Sequence, residues 1–232
     1  MKLLAIETST EACSVALWLD GEVRERFEIA PRRHAELTLP WAEQLLAEAG
    51  VKKSQLDAIA IGRGPGAFTG VRLAIAIGQG IALALDRPVV PISTLAALAV
   101  QTFGPRVLAA IDARMGEVYA AAFELHDGDA IALTEERVLV PEAVVLPGDH
   151  DGWFGVGTGF AAGEGILADR LRSRFASIDT AALPHAADIA RLGALAFARG
   201  ESVAPERAEP AYLRDNVALT MVEQQALRDA RK

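Results

Sequence analysis

The hydrophobic pattern changes period several times along the chain. Leu3 to Glu7 reads as a buried strand, Thr8-Ser9-Thr10-Glu11 as a polar turn, and Cys13 to Leu19 as a second strand. Asp20-Gly21 turns this into a third, Glu22 to Ile29. From His34 to Ala49 the spacing is helical: Leu37, Trp41, Leu45 and Leu46 share a face, Glu43 and Glu48 lie off it, and Gly50 ends it. Pro40 is expected near an irregular first turn. Leu56 to Ile61 predicts a short buried strand, followed by a glycine turn from Gly62 to Gly70. An almost wholly apolar helix then runs to Leu85, with a strand over 88–92 after it. Ser93 suits the N-cap of a helix reaching about Gln101.

The second half repeats the first. Leu108-Ala109-Ala110-Ile111-Asp112-Ala113-Arg114 follows the pattern of Leu3 to Ser9, Val118 to Leu125 that of Cys13 to Leu19, and Asp127-Gly128 that of Asp20-Gly21. Glu7 and Asp112, 105 residues apart, end equivalent strands. That interval is too long for a solenoid unit and implies a duplicated domain, two α/β lobes with a cleft between them. Pro141 to His150 reads as a loop with a short helix, and Trp153 to Gly159 as a strand entering a glycine turn. Ala186 to Arg199 reads as a helix and Pro205 to Pro210 as a linker. The expected division is 1–104, 105–209 and a C-terminal tail 210–232, charged and frayed from Glu223 onward.

Within the apolar helix Gly70, Ala74, Gly78 and Ala82 recur every four residues, so they line one face and admit another backbone closely. Ile77, Ile81 and Leu85 form a second stripe. The run is short for a membrane span and carries Arg72 and Gln79, so a helix pair in a soluble protein, within this chain or with a partner, is the expectation.

Composition narrows the class. Of 232 residues 51% are hydrophobic, which suits an ordered α/β protein. The net charge of −8 disfavours non-specific nucleic-acid binding, and Arg32-Arg33 and Arg170, Arg172 and Arg174 read as solvated surface. The N-terminus enters a strand directly, without the features of a signal peptide. The single cysteine, Cys13, reads as a packed thiol in a reduced, cytoplasmic protein.

A strand, a glycine turn and a helix can cradle phosphate. Here the turn lacks the Lys-Ser/Thr pair of a P-loop, and Asp86 precedes the next strand where a dinucleotide fold would place an acid after it, so a tight turn is favoured. Glu7 and Asp112 at the cleft could hold a hydrated Mg²⁺, with the turns at 62–66 and 155–159 taking phosphate and adenosine. The four histidines are scattered and no Gly-x-Ser-x-Gly elbow occurs.

Five stretches together are more specific: Ala5-Ile6-Glu7-Thr8-Ser9, Gly62 to Arg72, Pro91-Ile92-Ser93-Thr94-Leu95, Asp112-Ala113-Arg114 and Pro210 to Asp215. In these the chain resembles the TsaB family over nearly its whole length. The resemblance implies a duplicated actin/Hsp70-like (ribonuclease H-like) ATPase fold. It further implies a part in threonylcarbamoyl modification of the adenosine beside the anticodon in ANN-decoding tRNAs. The related TsaD carries a metal-binding His-x-x-x-His where this chain has His34 and Thr38, so the resemblance implies no metal site and no catalytic residues. It implies a scaffold that dimerises with TsaD, helps recruit the ATPase TsaE, pairs with itself when alone, and meets tRNA only indirectly, with no membrane. The implied partner surface lies on the helices 34–49 and 69–85: His34, Leu37, Trp41, Leu45, Gly70, Leu73, Ala74, Ile77, Gly78 and Ile81. Glu7, Thr8, Ser9, Asp112 and Gly157 are then a vestigial nucleotide site. The isolated chain is expected to carry no cofactor, with Mg–ATP only in the complex. The competing readings are an autonomous Mg–ATP enzyme of the same fold and, third, a protease.

Overall fold

The computed structural model describes residues 1–214, so the readings of the tail beyond Arg214 lie outside the described residues. Two sheets carry the duplication. Strands β1 (Lys2–Glu7), β2 (Ala12–Leu19), β3 (Glu22–Ile29), β4 (Ala58–Gly62) and β5 (Val89–Ile92) form the first, in the order β3-β2-β1-β4-β5. The second contains β6 (Arg106–Arg114), β7 (Glu117–His126), β8 (Asp129–Ala132), β10 (Trp153–Val156) and β11 (Phe175–Asp179), in the order β11-β10-β6-β7-β8. A short β9 (Arg137–Leu139) also pairs with β7. Read from β3 and from β8 the two orders match, with an antiparallel meander followed by two parallel strands in each. The shared turn chemistry is visible too: Asp20-Gly21 and Asp127-Gly128 all have positive φ, the demand of a tight hairpin met by Asp and Gly.

Helices α1 (His34–Glu48) and α2 (Phe68–Leu85) cover one face of the first sheet; α3 (Thr94–Ala99) and α5 (Ala186–Ala198) lie between the two sheets; α4 (Ile166–Leu171) covers the far face of the second. The central layer joins Leu3, Ala5 and Ala60 of the first sheet to Val107, Ala109 and Phe123 of the second through Leu95 and Ile189, all essentially inaccessible to solvent. Alanine dominates here because helices sandwiched between two sheets leave little depth for longer side chains.

Five expectations are corrected. The apolar helix begins at Phe68, within the expected glycine turn, and α3 stops at Ala99, capped by Ser93 Oγ accepting from Ala96 N–H (3.1 Å). Pro40 lies in the second turn of α1, not at an irregular start; its side chain is exposed, so the helix passes it without a clash in the core. The expected unit 105–209 is not one lobe: α5 packs on β1, β2 and β4 of the first sheet, and Val203 bridges Val89, so the chain returns to the first lobe after β11. The fifth concerns which side of α2 is covered.

The Gly70-Ala74-Gly78-Ala82 stripe faces this chain's own sheet. Ala74 and Ala82 are wholly buried. A methyl group on Gly78 would overlap Ile61 Cγ2 of β4, and one on Gly70 would overlap the Thr8 carbonyl. The backbone that the small residues admit is therefore the sheet's. Ala74 and Gly78 are therefore out of a partner's reach, and Gly70 is partly covered by the β1–β2 turn. On α1, Leu37 and Leu45 are likewise turned inward, 9% and 1% exposed.

Candidate docking face and interlobe cleft

The other side of α2 is open. Its outward residues include Phe68 and Leu83, 60% and 61% exposed, and a second small stripe, Ala76, Gly80 and Ala84, offset by two positions from the buried one. With Leu39 of α1 (48% exposed), Ile77, Ile81 and Leu85, this stripe lines a groove of about 370 Å³ whose polar rim includes Lys53. By length and composition α2 could cross a membrane, with a mean hydropathy of 1.6 over 18 residues. Its inward face, however, is already committed to the sheet. Of the expected interface residues Leu73, Ile77 and Ile81 remain half-exposed on α2, and Trp41 is half-buried beside the core. Phe68, Leu39, Leu83 and the outer small stripe were missed. The signal for that stripe was present as a second four-residue period.

His34 is not on this face. Its Nε2 sits 3.0 Å from the Thr10 carbonyl and 3.2 Å from that of Ala12, so this nitrogen carries the proton and ties α1 to the β1–β2 turn. Thr38 Oγ1 donates back to the His34 carbonyl (2.7 Å), a helix-internal bond in place of a metal ligand. Among the described residues no group of three His, Cys, Asp or Glu is placed to hold a metal ion.

A cleft of about 660 Å³ opens between the lobes, lined by the β1–β2 turn, the start of α2, the end of β6 and Arg214. Glu7 is excluded from it. The carboxylate is fully buried, accepts from Ser9 N–H (2.6 Å) and Thr94 Oγ1 (3.1 Å), and lies where a side chain on Gly62 would be. Burial pushes its pKa up against these hydrogen bonds, favouring the protonated form. Asp112 does line the cleft, but Arg114 occupies both its oxygens, through the backbone N–H on Oδ1 (2.7 Å) and the guanidinium on Oδ2 (2.9 Å). The two carboxylates thus each accept the N–H of the residue two positions on, as duplication demands; Glu7 is shut off from the cleft, and Asp112 faces it paired with Arg114. The Mg–nucleotide chemistry that the fold suggests does not fit this donor set.

The glycine turn is closed as well. Ala67 N–H donates to the Ser9 carbonyl (2.7 Å), Thr8 Oγ1 donates to the Gly70 carbonyl (2.7 Å), and Gly66 and Gly70 leave no space for a Cβ against the β1–β2 turn. It works as a backbone joint. Gly157, with φ of 106°, packs in the same way on the Ala110 carbonyl. A serine, a histidine and an acid do meet elsewhere: Ser14 Oγ donates to Glu25 (2.7 Å), whose other oxygen lies 2.9 Å from His185 Nδ1. The carboxylate sits between the other two and the serine is buried, so the histidine cannot activate it. The arginines of 170–174 also serve structure, Arg170 and Arg174 holding backbone carbonyls of the 141–150 loop.

Duplicated lobes built on matching sheets, with a cleft between them, define a two-lobed protein of actin/Hsp70-like fold. Sequence and structure comparisons agree. Residues 27–221 match the family model "TsaD: tRNA N6-adenosine threonylcarbamoyltransferase". The chain is 44% identical to "tRNA threonylcarbamoyladenosine biosynthesis protein TsaB" of Escherichia coli, covering 94% of this chain and 96% of that protein. It is 39% identical to the protein of the same name in Haemophilus influenzae, covering 94% and 95%. A crystal structure from Pseudomonas aeruginosa, described as an uncharacterized protein with similarity to peptidase YEAZ, superposes with a TM-score of 0.86. It is 49% identical, over 92% of this chain and 99% of that one. The chain belongs to the TsaB family.

Proposed function

We propose that this protein serves threonylcarbamoyladenosine synthesis in tRNA as a non-catalytic scaffold. It docks the catalytic paralogue TsaD through the outward face of α2 and the adjoining edge of α1, and the pair recruits TsaE. In the absence of TsaD a second copy occupies the same face, and Mg–ATP is handled by the assembly. One observation carries this reading: an 18-residue helix buries one side against its own sheet and leaves a continuous apolar side, floored by Ala76 and Gly80, in solvent. A patch of this kind on a folded protein marks an interaction surface, and its small residues let a partner helix approach closely. The names of the E. coli and H. influenzae relatives supply the pathway.

Gly80→Arg and Leu83→Asp put charge on the open face without touching the core. Mixed with purified TsaD and weighed by light scattering, each is expected to lower complex affinity by at least about tenfold, the scale on which a central interface residue acts. Retention of the full complex mass by both variants would refute this face as the interface.

A further inference from the structure

Neither the open helix face nor the cleft accounts for Arg72 and Gln79, the large polar residues of the apolar helix, or for the stretch Pro210-Ala211-Tyr212-Leu213-Arg214. The two features meet. After α5 the chain joins the edge of the first sheet, where Val203 and Val89 exchange two hydrogen bonds (2.8 and 2.9 Å), and then runs beside α2. Gln79 Nε2 donates to the carbonyls of Pro205 (2.9 Å) and Ala208 (3.1 Å), and Ala208 is buried. About two turns nearer the start of α2, Arg72 Nη2 donates to Tyr212 Oη (2.8 Å). Its guanidinium lies 3.3 Å from the Phe68 ring centroid and 4.9 Å from that of Tyr212. The segment then reaches the other lobe: Arg214, on the cleft wall, donates to the Ala113 carbonyl (3.3 Å) and to the Glu117 carboxylate, with Met115 Sδ 3.6 Å away. The stretch that reads as a linker is tied down along its length.

Its two ends are held differently. The base belongs to the sheet edge and the core, whereas Tyr212 near the tip is 62% exposed and held by a cation–π contact and a hydrogen bond for which water competes. What the tip holds is a strained hairpin. Arg114, Met115 and Gly116 have consecutive positive φ values of 63°, 58° and 78°, a conformation that is costly for the first two. We propose that residues 205–214 are a latch over the interlobe cleft, fixed at its base and releasable at Tyr212 and Arg214, that sets how far the lobes open. Latched, it ties the β6–β7 hairpin to the start of α2 through Arg214, Tyr212 and Arg72. Released, the hairpin is free to move away from α2 while the apolar layer between the sheets acts as the hinge. The Arg63–Glu136 pair remains as a second bridge, so the opening is partial. The buried base keeps the tip close to its seat, which makes release reversible.

The test places a spin label on each side of the cleft in the full chain, at Glu11→Cys and Ala161→Cys, both exposed, while Cys13 is wholly buried and shielded from the label. Arg214→Ala and Arg72→Ala should each lengthen and broaden the label-to-label distance. Arg214→Lys keeps a donor for Glu117 and should return part of the way to the parent. Hydrogen exchange of the unlabelled variants supplies a second readout: the Ala211 amide and the hairpin 113–117 should exchange about tenfold faster, with β1 and β4 as protected as before. That contrast separates an open latch from a loosened fold. Glu209→Ala, on the solvent side of the same segment, should leave both readouts at parental values. A distance distribution that neither Arg214→Ala nor Arg72→Ala alters would overturn the proposal, as would an equal response to Glu209→Ala or faster exchange spread evenly into β1 and β4.

Discussion

Glu7 shows how a single position can mislead. Its place at the end of a buried strand marks it as functional from the sequence alone, because an ionised carboxylate there needs a reason. In the folded molecule the reason is internal: it accepts hydrogen bonds from Ser9 and Thr94 and fills the space left by Gly62, with burial raising its pKa. The folded chain therefore holds this proton to higher pH than the unfolded chain. Stability falls as pH rises through the ordinary carboxylate range, and the loss is constant above the raised value. Glu7→Gln can keep both hydrogen bonds, the amide oxygen accepting from Ser9 and the amide N–H donating to Thr94. The variant is expected to melt above the parent at pH 8 and level with it near pH 3. A gain of 1 kcal/mol would appear as about 2–4 °C in a chain of this size. A Tm difference that stays the same at both pH values would remove the case for a buried, reluctantly charged group.

At the scale of one element, α2 carries two small-residue stripes, and its sequence does not say which faces in. Both have a period of four, and the helix is apolar on every side. The strand side chains decide: Ile61 and Ile59 on β4 rise against Gly78, so the helix settles with that stripe down and Gly80 up. Two alanine substitutions separate the faces. Gly78→Ala overlaps Ile61 and should cost about 1–3 kcal/mol by overpacking. Gly80→Ala has no atom within 4 Å of its new methyl and should gain about 0.5–1 kcal/mol from helix propensity. Urea midpoints of the two isolated variants check this; equal shifts would mean the helix is seated differently.

At the scale of the whole molecule, the lobes are held together by the central helices and by ion pairs, among them Arg199 with Asp129 (2.6 Å) and a two-point pair at the glycine turn. Arg63, within the glycine turn, meets Glu136 of the second lobe through two parallel hydrogen bonds of 2.9 and 3.2 Å, with side chains 31% and 13% exposed. The same residue's carbonyl accepts from Ala211 N–H (2.9 Å), so one turn touches both lobes and the returning chain. Arg63→Ala leaves a half-buried carboxylate unpaired and should cost about 1–3 kcal/mol, while the double variant with Glu136→Ala recovers part of that loss. A double-mutant cycle in urea measures the coupling; zero coupling would reduce the pair to surface decoration.

The chain's own order of residues determined the duplication, the succession of strands and helices as far as β7, the two Asp-Gly hairpins and the Ser93 cap. These depend on turn chemistry and side-chain period within a few neighbouring residues. Only the tertiary structure decided which stripe of α2 is covered, that α5 returns to the first sheet, that Leu37 and Leu45 point inward, and that Glu7 is sealed from the cleft. Each of those outcomes depends on atoms brought together from distant parts of the chain. A helix with similar faces takes its rotation from the surface on which it lands, and a carboxylate takes its role from the donors that happen to surround it.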